Sequence, residues 1–348
     1  NLTDFIFQLQ TYNPVSVLQF SPIVNFYDSY NRFGDYNGDG VTDFYYEDGI
    51  ITRLFNTYRG RSQYFVSEIK NGLGYSNHIN YSPITYDTVY YNGTTAFYPV
   101  IKYQGPLYVV KSVSIDNPDF THSTTSYSYY GANFHLQGKG FLGFKKVTSI
   151  NSSANIKLID EYEYDPTFYY VSPKRNSIYT LASGPTSDEL ISDVTYTNSI
   201  RHLGSLRYFA FVSSSIENNY LTGVTITKHN DYDSSGNLTS YREDFDDESY
   251  NITTYSDFSS AGTWFSAKPQ TVTNTRKHYQ DSQSFSLTST YTYYSTTGYV
   301  NTKAVGPLIS SYQYDIYGNP TVDSISDGST SRTNKFIYDT KNMFIWKS

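Results

Sequence analysis

The chain has 348 residues, enough for two domains or one large β-structure, and either could bury a sizeable core. Its 25 basic and 32 acidic residues leave a net charge of −7, and the basic ones are thinly spread, which argues against a nucleic-acid partner. There is no cysteine, so no disulfide framework, thiolate metal site or cysteine nucleophile, and apolar runs fall far short of the roughly 20 residues of a membrane-spanning helix.

Aromatic residues make up 18% of the chain against 38% for all hydrophobic types, with 40 tyrosines and a single methionine. Rings and β-branched residues suit pleated, half-buried surfaces, whereas helical proteins lean on Leu, Ala and Met. An all-β fold is expected. The chain opens on Asn1 rather than Met, with no basic-then-apolar leader, so a mature protein or an excised segment is expected.

The first local motif in chain order is Asp35-Tyr36-Asn37-Gly38-Asp39-Gly40-Val41-Thr42-Asp43. Oxygen ligands at alternate positions, with glycines to allow a sharp turn, can wrap a hard cation. The set would be the side chains of Asp35, Asn37, Asp39 and Asp43 with the Val41 carbonyl, and calcium is the natural ion. An EF-hand requires a bidentate Glu at the twelfth loop position, where Tyr46 stands, and the flanks read as strands. The competing reading is a metal-free, Asx-rich turn.

Turn signals then punctuate the chain at Asp48-Gly49, Asn71-Gly72, Asn92-Gly93, Gly236-Asn237, Gly318-Asn319 and Asp327-Gly328. Between such turns lie short β-branched and aromatic runs: 41–46, 108–115, 157–164, 221–228 and 286–294. This pattern predicts many short antiparallel strands. Gly138-Lys139-Gly140-Phe141-Leu142-Gly143 fits the dinucleotide fingerprint G-x-G-x-x-G, but Phe144 to Ile150 alternate like a strand instead of starting a helix. A glycine bend with Phe141 and Phe144 plugging the interior is the better reading. The one helix candidate is a short turn over 187–194, capped by Ser187.

A Tyr-x-Tyr-Asp unit recurs at 162–165 and 312–315, with related copies at 127–131, 231–237, 291–294 and 338–339. The tyrosines two apart share a strand face, and the following Asp and Gly-Asn reverse the chain, so each copy reads as a hairpin. The six histidines, His78, His122, His135, His202, His229 and His278, show no zinc-ligand spacing, and no G-x-S-x-G elbow occurs. The acidic run Glu243, Asp244, Asp246, Asp247 and Glu248 could hide a glycosidase pair, but a solvated loop is the ordinary explanation.

Two segments, Tyr232-Asp233-Ser234-Ser235-Gly236-Asn237-Leu238-Thr239 and Tyr314-Asp315-Ile316-Tyr317-Gly318-Asn319-Pro320-Thr321, resemble the YD repeats of Rhs-type proteins. The order Asn71-Gly72-Leu73-Gly74, Tyr81-Ser82-Pro83, Tyr98-Pro99-Val100, Tyr108-Val109-Val110 and Gly138 to Phe144 resembles the B component of insecticidal toxin complexes and SpvB-like proteins. The loop at 35–43 resembles the calcium-binding FG-GAP repeat of integrin-like propellers. These resemblances imply a propeller-like strand-loop-strand segment over 1–60 and a YD-repeat β-shell over 61–348, its antiparallel hairpins curling into a partial hollow shell.

The function they imply is that of a non-enzymatic, secreted or cell-surface bacterial virulence protein. It would be a shell segment enclosing a toxin or unfolded polypeptide, with a C-terminal toxin or Rhs polypeptide as partner. Structural calcium would be the cofactor. The alternative is an extracellular carbohydrate-binding or adhesion module, since tyrosine faces also stack on sugar rings. Nothing in the sequence matches the aspartate-based self-cleaving core that closes complete Rhs shells.

Overall fold

β-Branched and aromatic residues between turn-forming Asx and Gly place nearly every ordered stretch in antiparallel strands. The computed structural model describes residues 30–347 except 37, 39, 41, 48–51, 56–64, 87, 94–95, 117–120, 183–186, 205–206 and 260–266. No helix occurs among the described residues. The chain divides into two units, residues 1–190 and 191–348.

The N-terminal unit opens with a small three-stranded sheet, β1 (Tyr30–Gly34), β2 (Asp43–Glu47) and β3 (Thr52–Phe55), with β2 central. A second sheet follows, built from β4 (Glu68–Lys70), β5 (Ser76–Pro83), β6 (Tyr90–Tyr91), β7 (Val100–Lys102), β8 (Tyr108–Asp116), β9 (His122–His135), β10 (Gly140–Asn151), β11 (Ile156–Tyr164) and β12 (Val171–Thr180). Its backbone order is β4-β5-β8-β9-β10-β11-β12. β9 is long enough for three strands to share one of its edges: β8 at Ser112↔Ser126, β6 in parallel at Tyr90↔Tyr129, and β7 at Val100↔His135.

That sharing creates the core. Residues 84–107, connecting β5 to β8, fold back on β9 and bury Ile84, Val89 and Tyr90 against Val109 and Ala132, with Tyr103, Leu107, Tyr129 and Phe144 packed around them. The Ala132 N–H donates to the Tyr90 hydroxyl oxygen at 3.1 Å, so this interior phenol is not left unpaired. The backbones come close at Gly93, where a Cβ would stand 2.8 Å from the Cα of Gly131.

The C-terminal unit is a strict meander. β13 (Glu189–His202), β14 (Tyr208–Asn219), β15 (Val224–Tyr232), β16 (Leu238–Phe245), β17 (Tyr250–Ser259) and β18 (Lys268–Lys277) each pair with the next. β19 (Phe285–Tyr293), β20 (Val300–Val305), β21 (Leu308–Tyr314), β22 (Pro320–Ser326) and β23 (Ser331–Lys335) continue it, and β24 (Ile337–Tyr338) pairs with β25 (Ile345–Lys347). Among its described residues no hydrophobic side chain is buried; the buried side chains are those of Asp193, Ser215, Ser259 and Ser289.

One sequence expectation is corrected. Residues 187–194 hold no helical turn: Glu189 begins β13, and Ser192 to His202 pair with β14. Val194, Thr195 and Thr197 are β-branched, and their cross-strand partners outweigh a capped turn too short to nucleate.

Candidate functional site

The loop joining β1 to β2 carries the expected cation ligands. Asn37, Asp39 and Val41 lie outside the described residues. The other two carboxylates both turn inward on the loop. Asp35 Oδ2 accepts the Gly40 N–H at 2.8 Å, and Asp43, fully buried, accepts the Tyr36 N–H on Oδ2 at 3.0 Å. The loop also fits tightly against residues 84–107, since a Cβ on Gly40 would lie 2.9 Å from Pro106 Cβ.

Four carboxylates of the acidic run are engaged by neighbouring groups. Glu243 accepts the Tyr241 hydroxyl at 2.6 Å, Asp244 accepts Arg242 Nε at 2.8 and 2.7 Å, and Asp246 accepts the Thr225 N–H at 3.1 Å. Asp247 caps its own turn by accepting the Ser249 N–H at 2.9 Å and hydroxyl at 2.5 Å. The glycine-rich segment is the bend at the start of β10, with a register irregularity between Phe141 and Gly143, and no helix follows it. Phe144 packs on Tyr129 at 4.7 Å between ring centroids, whereas Phe141 is 42% exposed at the rim and does not plug the interior.

The histidine spacing concealed one juxtaposition. Pairing of β5, β8 and β9 brings His78 and His122 to one carboxylate: His122 Nδ1 lies 2.8 Å from Asp116 Oδ1, and His78 Nε2 lies 3.8 Å from it. Burial raises the Asp116 pKa, but hydrogen bonds from the Ser76 N–H and His122, with the charges of His122 and His78, outweigh it, so the carboxyl titrates below its ordinary range. No group of three His, Cys, Asp or Glu among the described residues has metal-holding geometry. A hollow of about 310 Å³ is lined by Tyr91, Ser128, Tyr129, Tyr130, Lys146 and Thr148, and its lining includes no carboxylate.

The tyrosine units give the most regular geometry. Asp233 Oδ1 accepts the N–H groups of Ser235 and Asn237, both at 2.8 Å, while Asn237 Nδ2 donates to Oδ2 at 2.8 Å. Asp315 repeats this pattern with Tyr317 and Asn319 at 2.9 Å and with Asn319 Nδ2 at 3.0 Å. The glycine four residues after each tyrosine is left-handed, with φ of 89° at Gly236 and 90° at Gly318. In both copies the register shifts just before the tyrosine, leaving Thr239 or Thr321 unpaired as a bulge in the following strand.

The rings and hydroxyls then tie neighbouring hairpins together. Tyr232 packs on Phe209 and Phe211 at 5.1 and 4.8 Å, and Tyr314 on Tyr299 at 4.9 Å. Tyr293 donates to the Pro269 carbonyl at 2.6 Å, Tyr294 to that of Tyr312 at 2.8 Å, and Tyr338 to that of Pro320 at 3.0 Å. The same device occurs in the N-terminal unit, where Tyr129 donates to the Val110 carbonyl at 2.9 Å and burial pushes its phenol up to about 12. Such an arrangement braces a sheet.

Residues 24–169 match the family model of the insecticide toxin TcdB middle/N-terminal region. The chain is similar to toxin-complex B proteins. Its fold matches a solved TcdB2-TccC3 structure lacking the hypervariable C-terminal region, with a TM-score of 0.63 at 8% identity over 92% of this chain. A Tc holotoxin pore structure from Photorhabdus luminescens, carrying the TccC3-D651A mutation, matches with a TM-score of 0.60 at 8% identity over 91% of this chain. The complex of TcdB2-TccC3 with Cdc42 gives 0.56 at 9% identity over 91%. This chain spans 24, 23 and 25% of those respective chains. No curated protein sequence matches it.

Proposed function

We propose that this chain is a non-enzymatic wall segment of a toxin-complex B-like shell that encloses a toxin or unfolded polypeptide for delivery outside the bacterial cell. The observation that carries this reading is the C-terminal unit: eleven successive strands, β13 to β23, extend a sheet that buries no hydrophobic side chain among its described residues. A globular domain would close such a sheet over a core, whereas a wall has no need to. The Tyr-Asp turns, taken as YD repeats, would brace that wall hairpin by hairpin.

Several relatives are complexes of TcdB2 with TccC3, so the partner suggested here is a polypeptide of the TccC3 kind. Aromatic pairs occur throughout both units instead of gathering in one groove, which favours a wall over a sugar-binding site. Structural calcium in the 35–43 loop belongs to the same proposal, as in an FG-GAP repeat. The inward Asp35 and buried Asp43 carboxylates suit a hard cation, which would tie β1 to β2.

Two measurements test these statements. When the chain is co-expressed with its partner polypeptide, the partner should resist a protease that digests it when expressed alone; equal digestion rates would remove the enclosure reading. Calcium titration by calorimetry should give heat with the wild type and little with Asp39→Ala. Equal heats would remove the calcium.

A further inference from the structure

The cross-strand register of the C-terminal unit sorts its side chains onto two unlike faces, because directly paired residues share a face and neighbours along a strand alternate. From β17 to β23 one face is rich in hydroxyls, with Thr254, Thr273 and Thr288 in one row, Thr275 and Ser286 beside Ile252 in the next, and Thr292, Thr302, Ser311, Ser324 and Thr333 in a third. Ala304 and Ile309 lie on it too, and Tyr250, Lys277 and Lys335 stand on it at strand ends. The opposite face carries Tyr255, Val272, Leu287, Tyr291, Leu308 and Tyr312, with Lys303, Asp323 and Arg332.

The hydroxyls satisfy one another across the strands. Thr273 pairs with Thr288 at 2.9 Å, Thr275 with Ser286 at 2.8 Å, Thr292 with Thr302 at 2.7 Å, and Ser324 with Thr333 at 3.1 Å. Asp257, whose backbone is left-handed with φ of 53°, accepts the hydroxyls of Thr271 at 2.8 Å and Ser256 at 3.1 Å. The other face keeps more large apolar groups in solvent, with Phe285 71%, Leu308 45% and Leu287 44% exposed, against Ile309 at 48% on the hydroxyl-rich face.

We infer that the Ser/Thr face of β17 to β23 is the one turned toward the enclosed polypeptide, which it meets as a hydroxyl-rich, weakly adhesive lining. This rests on the wall reading above. An unfolded cargo of mixed composition exposes apolar side chains, both signs of charge and backbone groups. A wall bearing Leu287, Tyr255 and Phe285 would gain from burying the first kind, and a wall bearing Lys303 and Asp323 would attract the second. Threonine and serine offer little apolar area, and each cross-strand pair already takes up one of its two hydroxyl hydrogens, so less is gained by contact. The aromatic and charged face is the one suited to adhesion, and belongs on the side away from the cargo.

The absence of cysteine from the chain makes the test direct, because any thiol signal comes from an introduced residue. Thr288→Cys and Leu287→Cys are neighbours on β19 facing opposite ways; Thr273→Cys and Asn274→Cys repeat the comparison on β18. Each variant is treated with a bulky polyethylene-glycol maleimide, both alone and in the assembly isolated through a tag on this chain. All four should label when alone, which also shows that the thiols are accessible.

In the assembly, loss of labelling at 288 and 273 with labelling kept at 287 and 274 is the expected result. The reverse pattern would overturn the face assignment while leaving the wall reading intact. Equal labelling at all four sites, or recovery of no assembly, would overturn the wall reading itself. Protection at all four would show both faces covered and would likewise remove the lining assignment.

Discussion

Residues 84–107 separate the two units of this protein more sharply than their common tyrosine content suggests. In the N-terminal unit that segment lies against β9 and seals Val89, Tyr90 and Ala132 from solvent. In the C-terminal unit successive strands are joined without such an insertion, and no hydrophobic side chain is buried among the described residues. One unit is held by a core; the other is held by strand pairing, turn carboxylates and phenol straps. Similar sequence chemistry therefore supports two kinds of stability, and substitutions in the two units should fail in different ways.

The largest effect is expected at the core. Tyr90→Ala removes a 7%-exposed ring and leaves the Ala132 N–H without its acceptor, at a cost of about 3–5 kcal/mol. Val272→Ala, at a half-buried site in the meander, should cost about 1 kcal/mol. Denaturant titrations of the two variants read the difference, and similar losses would mean that the meander has core-like burial after all. Next in size is Gly318→Ala. Its φ of 90° disfavours any Cβ, and the added methyl would run into the Tyr299 hydroxyl and ring, so about 1–2 kcal/mol should be lost. Gly328→Ala, at φ 91° but with open space around it, should cost less because only the backbone is strained.

Acid should also distinguish the units. Burial pushes Asp315 upward, but hydrogen bonds from the Asn319 side chain and backbone and from the Tyr317 and Gly318 N–H groups win, and its carboxyl sits below its usual range. Asp233 behaves alike, and Asp339 is lowered by the Met343 and Phe344 N–H groups. A folded pKa below the unfolded value means that the stabilisation is present above the unfolded value, about 3.9, and is lost as pH falls through the folded one. Glu68, Asp116 and Asp188 shift the same way in the N-terminal unit, but there an apolar core remains when they protonate. Hydrogen exchange followed peptide by peptide from pH 5 downward should show the C-terminal unit opening first; opening of the N-terminal unit first would contradict the comparison.

Strands were legible in the sequence because their signal is local. The runs at 108–115, 157–164 and 286–294 match β8, β11 and β19 to within a residue at each end, whereas 221–228 began early because Leu221 belongs to a turn capped by Asn219. The Tyr-Asp turn was legible too, since Asp, Gly and Asn declare their roles. The bulges at Thr239 and Thr321 were not, because register depends on the partner strand. The meeting of His78 and His122 at Asp116 was hidden for the same reason. The separation of hydroxyl from aromatic faces also appears only once each strand is aligned with the next. Of the candidate cation loop, the inward carboxylates of Asp35 and Asp43 are seen, while Asn37, Asp39 and Val41 lie outside the described residues.

The smallest effect sharpens the comparison furthest, because it asks about the same interaction in both units. Lys303 stands directly opposite Tyr291 with Nζ 5.8 Å from the ring centroid, and Lys157 stands opposite Tyr179 at 5.1 Å. Lys303→Met keeps an apolar stem of similar reach and removes only the charge, so the loss should be about 0.5 kcal/mol, the value of a solvent-exposed cation–π contact. Lys157 also donates to Asp188 Oδ2 at 2.8 Å, and Asp188 accepts the Ala182 N–H at 3.1 Å beyond the end of β12. Lys157→Met therefore breaks a chain of contacts instead of a single one and should cost more. Chemical denaturation of both variants at low and high salt separates the terms, since screening weakens the carboxylate pair more than a cation held over a ring. If Lys303→Met cost as much as Lys157→Met and showed the same salt dependence, the meander would have to contain an ion-pair network as developed as that of the cored unit.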